Sequence, residues 1–157
     1  MAVTSASVST AAEVDLGSTL TEATGKRGAL TWVYVLNETS TALAEGDVVI
    51  RNTPSTDYRV VLSTAGGLVQ AIRCVGVAQH AVPAGSYGYV LRRGVGTIQV
   101  GAGASVSDSE ALTTGGVAAG SIIKFAAGTT APACVMALAL QNIASGGTGL
   151  AFIDCRG

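Results

Sequence analysis

Residues 29–36 read ALTWVYVL, a run rich in β-branched and aromatic residues, and the turn-prone cluster NETST follows at residues 37–41. This pattern predicts a β-strand that ends in a turn. Turn signals then recur at intervals of about 8–12 residues, the spacing of a sandwich or barrel. Further strands are predicted at Asp47–Arg51, Tyr58–Ser63, Leu68–Ala78, Ser86–Arg92, Gly96–Val100, Ile122–Ala126, Ala133–Leu140 and Gly149–Asp154. The sequence therefore predicts an all-β protein with a compact β-sandwich or β-barrel-like body, and one short helical turn over Ser105–Leu112.

Residues 1–28 differ from the rest of the chain and are predicted to form an extended N-terminal arm before a β-rich domain at 29–157. Ser and Thr together account for nine of its first 25 residues. Ordering the backbone of about 25 residues costs about 1–2 kcal/mol of conformational entropy per residue. Burying one aliphatic side chain stabilises the folded state by only about 1.5–3 kcal/mol. The arm is therefore expected to be mobile, or to be held by main-chain pairing with another sheet or chain. Its isolated aliphatic residues are the candidate contacts with a neighbouring protein: Val3, Val8, Val14, Leu16 and Leu20.

The β-rich domain contains an apparent internal repeat. Aligning residues 75–91 with 136–152 places Val82 on Ile143, Gly85 on Gly146 and Leu91 on Phe152. Each copy has an apolar strand, a polar kink, a glycine-bearing turn and a second strand. The pattern predicts an internal duplication in which two β motifs close into one body, with chance similarity in a Gly-, Ala- and Val-rich chain as the alternative.

The composition limits the classes of partner. The 157 residues are 48% hydrophobic but only 12% charged, with a net charge of −1, and a typical charged fraction is about 25%. This balance gives no electrostatic footprint for nucleic acid or for anionic lipid. The N-terminal segment does not have the positive start and apolar run of a signal peptide, so we expect a soluble protein that is not exported. Low charge suggests that much of the outer surface meets other protein.

The sequence offers little that resembles an active site. The single histidine, His80, has no recognisable partner in a nucleophile motif, and Asp108 with Glu110 is only a fragment of a calcium loop. The three cysteines, Cys74, Cys134 and Cys155, fit neither a disulfide framework nor a zinc site. We therefore expect no catalytic residues, no metal and no cofactor.

Much of the chain from residue 44 onward resembles the capsid cement, or head-decoration, proteins of tailed bacteriophages. The matching segments are 44–49, 75–78, 83–90, 94–106, 108–113, 137–139 and 146–152, and the Ser/Thr-rich arm also resembles the family. The resemblance implies a β-rich body of β-tulip type, often a homotrimer. It also implies assembly in the host cytoplasm and a position on the outer capsid surface. There such a protein contacts the major capsid protein and stabilises the shell by bridging neighbouring capsomers, without enzymatic activity.

Two other functions remain open from the sequence. The chain is also compatible with another trimeric virion component, such as a head fibre base or a minor tail protein. Less favoured is a small-ligand-binding β module, because the phosphate-binding motifs of small trimeric hydrolases are not recognisable here.

Overall fold

The computed structural model describes residues 6–24, 28–53, 57–64, 73–114, 118–125 and 135–155. These residues form eleven strands and no helix: β1 (Val8–Ser9), β2 (Thr19–Thr24), β3 (Gly28–Asn37), β4 (Val48–Arg51), β5 (Arg59–Leu62), β6 (Cys74–Val77), β7 (Tyr87–Gln99), β8 (Ala111–Thr114), β9 (Ile122–Lys124), β10 (Ala137–Ala139) and β11 (Thr148–Asp154). The all-β class predicted from the sequence is confirmed. Val3, Cys134 and residues 68–72 of one predicted strand lie outside the described residues.

Five strands close into a first ring. The hydrogen-bonded order runs β3, β5, β4, β6 and β7, and β7 pairs back onto β3. The β3–β5 pairing is parallel, whereas the other four pairings are antiparallel. Closure removes the open edges that a flat sheet of these strands would expose.

The second half of the domain repeats this arrangement. The order β7, β11, β10, β8 and β9 is joined by antiparallel pairings, and a parallel bridge from Val100 to Ile122 returns the chain to the end of β7. The first half of β7 therefore belongs to one ring and its second half to the other. This shared strand fixes the two rings side by side.

Strand β7 corrects one prediction. The segments Ser86–Arg92 and Gly96–Val100 were expected as two strands, but Tyr87–Gln99 forms a single strand of 13 residues. Gly94 lies at its centre with a φ of 124°, a conformation that side chains disfavour. A Cβ at this position would also lie 2.9 Å from the carbonyl oxygen of Ala29. Glycine therefore marks a bend within the strand rather than a break.

The helical turn predicted over Ser105–Leu112 was wrong. Val106 instead forms an isolated antiparallel bridge with Ile143, and Ala111–Thr114 forms strand β8. Between them lies a tight turn in which Ser109 has a φ of 65°. A polar, turn-forming sequence followed by a short strand has no apolar helical face to bury, so tertiary pairing decides its conformation.

Several hydrogen bonds recur at matching places in the two halves. Leu43 and Val82 exchange main-chain hydrogen bonds, as do Val106 and Ile143. In the turns nearby, the amide of Gly46 donates to Ala78, and the amide of Ser109 donates to Ala139. One sequence offset relates Leu43 and Gly46 of the first ring to Val106 and Ser109 of the second. A slightly shorter offset relates Ala78 and Val82 to Ala139 and Ile143. The two rings therefore share one hydrogen-bonding plan.

The core is divided into two buried clusters, both dominated by aliphatic side chains. One lies in the first ring and includes Val33, Val49 and Val90. The larger cluster includes Ile98 and Ile153 of the second ring together with residues of the first ring. The interface between the rings is thus part of the hydrophobic core.

Candidate interaction surface

The backbone of the N-terminal arm is paired with strands of its own domain. Strand β2 pairs antiparallel with β3 from Thr19–Val33 to Thr24–Gly28. Strand β1 pairs with β7, with Val8 opposite Gly88 and Ser9 opposite Tyr87. The arm was expected either to be mobile or to be held by main-chain pairing with another sheet or chain; in the described residues it is paired with strands of its own chain.

The five aliphatic residues predicted as contacts occupy different environments. Val14, Leu16 and Leu20 are half-buried and pack against the larger core cluster. Val8 remains 40% exposed, and Val3 lies outside the described residues. Of the four that are described, Val8 therefore has the most side-chain surface left for a partner.

Tyr34 fastens the middle of the arm to the core. Its hydroxyl oxygen accepts a hydrogen bond from the amide of Glu13 at 3.2 Å, and its carbonyl accepts one from Gly17 at 2.8 Å. The Tyr34 ring packs against Tyr87 and Tyr89, with centroids 6.0 and 5.0 Å away. Burial, together with the nearby Tyr34 and Glu13, raises the pKa of Tyr89. The arm is thus anchored at residues 13–18, while its residues 10–13 stay exposed.

An open groove of about 510 Å³ lies beside this exposed part of the arm. Its lining residues are Thr10, Leu36, Asn37, Glu38, Thr39, Asn52, Gly85 and Tyr87. The Glu38 carboxylate accepts hydrogen bonds from Asn52 Nδ2 at 2.9 Å and from Arg59 Nη1 at 3.0 Å. These two donors lower the pKa of Glu38, so the rim of the groove carries an ionised carboxylate that is paired with Arg59. A second open groove, of about 490 Å³, runs along residues 12–18.

The residues considered for chemistry are not brought together. The imidazole of His80 is half-buried, which lowers its pKa and favours the neutral form. Glu110 accepts a hydrogen bond from the Ser107 amide and forms an ion pair with Lys124, so it acts as a turn cap. In the part of the chain that the structure describes, no group of three His, Cys, Asp or Glu side chains is placed to hold a metal ion. Within the same ranges, no helix is long and apolar enough to cross a membrane.

Among the large apolar side chains that the structure leaves exposed, only Val8 was predicted as a contact, and the others were not. Four of them lie on or beside β10 and β11: Val135, Leu138, Leu140 and Phe152. A signal was present, because residues 135–140 read VMALAL and are apolar at every position. In a half-buried antiparallel strand, alternate positions should be polar. Continuous apolarity indicates a second covered face.

Comparisons with known proteins give a match to a solved structure. No family model matches the chain, and no curated protein matches it. Among solved structures, the N base of head fiber gp8.5 in bacteriophage phi29 is similar, with a TM-score of 0.50. The two chains are 17% identical, and the match covers 78% of this chain and 94% of that one. At this identity the likeness establishes a shared fold.

Proposed function

We propose that this chain is a structural virion protein of a tailed bacteriophage. It binds the outer surface of the capsid as a homotrimer and stabilises the shell by bridging neighbouring capsomers through contacts with the major capsid protein. It has no enzymatic activity and needs no cofactor. The proposal agrees with the resemblance of residues 44–157 to head-decoration proteins.

One observation carries the proposal. The fold of this chain matches nearly the whole of a module whose known setting is a phage head fiber. The alternative class, a ligand-binding module, requires a built chemical site, whereas Glu110 caps a turn and Glu38 forms a surface ion pair with Arg59. A virion role needs only shape and contact surface, which a low-charge β body provides.

The arm is the proposed contact with the capsid. Residues 10–13 and Val8 are exposed beside the groove that contains Glu38. Because the following residues are anchored on Tyr34, this exposed segment is presented at a fixed position. A preorganised segment loses less conformational entropy on binding than a free tail does.

A second candidate is the base of a head fibre. The match to a head fiber N base favours it specifically. Copy number separates the two functions, because a decoration protein covers the shell and a fibre base occupies fewer sites. Both are capsid-bound structural proteins, so one binding experiment addresses them together.

Co-sedimentation with heads of the encoding phage, stripped of accessory proteins, tests the proposal. Saturable binding at on the order of hundreds of copies per head supports decoration. Saturation at a small number of copies favours the fibre base. No binding to intact, expanded heads would remove both functions.

The role of the arm is tested with variants that keep its anchored residues, 13–18. Deleting residues 1–12 removes β1 but leaves Val14, Leu16 and Leu20 on the core. We expect the truncated protein to melt within a few degrees of wild type and to bind heads at least about tenfold more weakly. Val8→Glu should act in the same direction, with Thr21→Glu on exposed β2 as the charge-matched control. Full-strength binding by both arm variants would exclude the arm as the contact.

A further inference from the structure

An exposed row of apolar side chains crosses the second ring. Leu138 on β10 lies directly opposite Phe152 on β11. The row continues to Ala111 on β8, opposite Leu138, and to Val95 on β7, opposite Phe152. Directly opposed residues in a sheet point to the same face. We call these four residues, Ala111, Leu138, Phe152 and Val95, the outer row.

A second apolar pair lies beside the outer row on one side, and two charged residues lie beside it on the other. Leu140 lies two positions beyond Leu138 and donates its amide to Leu150, which lies two positions before Phe152. Leu138, Leu140 and Phe152 are 41%, 42% and 38% exposed. On the opposite side of the row, Asp154 of β11 lies directly opposite Arg93 of β7 in the strand register. An apolar centre with a polar rim is the anatomy of a protein–protein interface.

The equivalent row of the first ring is buried. Val48 pairs with Val77, Val77 with Leu91, and Leu91 with Trp32. The longer of the two sequence offsets relates Val48 to Ala111 and Trp32 to Val95. The shorter offset relates Val77 to Leu138 and Leu91 to Phe152. Val48, Val77 and Leu91 are completely buried, and Trp32 is 7% exposed. We call these four residues the inner row.

The inner row is covered by the second ring of the same chain. All four of its residues belong to one core cluster with Ile98 and Ile153. The Leu91 side chain occupies the space beside Gly96, where a Cβ would lie 2.5 Å from Leu91 Cδ2. Gln79 joins the rings beside this contact, because its side chain donates to the Thr97 carbonyl at 2.9 Å and accepts from the Thr97 amide at 2.7 Å. This face of a ring is therefore built to pack against another ring of the same kind.

We infer that the outer row is the surface through which a second copy of this chain packs. The first ring packs its row on the second ring, whereas Leu138 and Phe152 of the outer row stay exposed among the residues that the structure describes. A ring from another copy supplies a cover for the outer row in a head-to-tail contact, and such contacts close into small symmetric assemblies when the rotation permits. The net charge of −1 adds little repulsion between copies. The inference deepens the proposed function, since it names the self-association surface of the proposed trimer.

The test uses the purified full-length chain without phage heads, so its result is independent of capsid binding. The double variant Leu138→Glu with Phe152→Lys removes the apolar pair but places opposite charges across β10 and β11, which preserves the strand pairing. Thr148→Glu, on an exposed position of β11 outside the row, is the control. Circular dichroism melting establishes that each variant is folded.

Sedimentation velocity over a range of protein concentrations measures self-association. We expect wild type and Thr148→Glu to sediment as a multiple of the 15.5 kDa chain. The double variant should associate at least about 30-fold more weakly, as expected when central apolar contacts are lost. A monomeric wild type, or a folded double variant that associates like wild type, would overturn the inference. In the first case, loss of head binding by the double variant would identify the capsid as the occupant.

Discussion

Asn37, at the end of β3, provides the most sharply defined test of the architecture. It is completely buried. Its Nδ2 lies 3.0, 2.9 and 3.2 Å from the carbonyl oxygens of Thr41, Val82 and Pro83. Its Oδ1 accepts hydrogen bonds from the amide and the hydroxyl of Thr39. One amide side chain therefore joins the β3–β4 loop to the β6–β7 loop.

The cost of Asn37→Ala follows from which groups lose all their partners. The Val82 carbonyl keeps a hydrogen bond from the Leu43 amide, and the Pro83 carbonyl keeps one from the Ser86 amide. The Thr41 carbonyl can accept the single hydroxyl proton of Thr39, which lies within reach of both this carbonyl and Asn37 Oδ1. None of these carbonyls is left unpaired, but the half-buried Thr39 amide loses its acceptor Oδ1. The loss is three to four net hydrogen bonds of about 1 kcal/mol each, or about 3–4 kcal/mol. For a chain of this size, that lowers the Tm by roughly 6–16 °C.

Asn37→Asp should be more damaging, although it is almost isosteric. It replaces the donor with a carboxylate oxygen facing three carbonyl oxygens. The charge is then buried without a cation, and only its other oxygen keeps the donors of Thr39. We expect a loss of at least about 5 kcal/mol at pH 7. The buried site raises the pKa of the introduced carboxyl group, so the variant should recover part of its stability near pH 4, where the group is neutral.

Urea unfolding followed by circular dichroism, at pH 4 and pH 7, measures both variants against wild type. Thr39→Ala is the matched control, because it removes the hydroxyl donor to Oδ1 but leaves every donor of Asn37. The reasoning is refuted if Asn37→Asp is as stable as Asn37→Ala at pH 7, or if the difference between them does not change with pH.

Three further predictions concern single positions. Gly46→Ala should lose more than about 2 kcal/mol, because the φ of Gly46 is 92° and the new Cβ would lie 2.9 Å from a backbone nitrogen. Ser109→Gly at the equivalent turn should be neutral or stabilising in the same melting assay, and equal losses at both sites would contradict this contrast. Burial raises the pKa of Asp47, so the folded state keeps this proton to a higher pH than the unfolded chain, and stability falls as the pH rises from about 4 through the raised pKa. Asp47→Asn should reduce this fall in urea titrations across that range, and an unchanged pH profile would exclude the assignment. Cys74 and Cys155 are buried, and contact with Cys74 together with burial raises the pKa of Cys155. Peptide mapping should therefore find both cysteines unmodified by iodoacetamide at pH 8 until the protein is unfolded. Rapid modification in the native state would count against the packing.

Local patterns predicted most of the strands in the β-rich domain. The run at 29–36 forms the centre of β3, the predicted segments at 47–51 and 58–63 each contain a strand, and the segment at 149–154 lies within β11. These segments combine β-branched residues with flanking turn residues, so their conformation is determined by short-range preferences.

The remaining differences have long-range causes. Nothing near Gly94 in the sequence indicates that β7 continues through it, because both halves of the strand are stabilised by different and distant partners, β3 and β11. The arm was difficult for the same reason, since its pairing with β3 and β7 depends on a sheet that local sequence does not describe. The exposed apolar row was not predicted, because residues 133–140 were assigned to a strand and neither of its faces was assigned a partner.

The strand shared by the two rings also shapes how the protein is made. During synthesis, the first ring has all its strands once the first half of β7 has emerged. The second half of β7 is synthesised before its partner β11, which follows only after β8, β9 and β10. At about 5–20 residues per second, the unpaired edge of this strand is exposed to other nascent chains for seconds. Fast translation through residues 100–148 should therefore favour soluble yield, and synonymous slow codons placed there should increase aggregation without changing the protein.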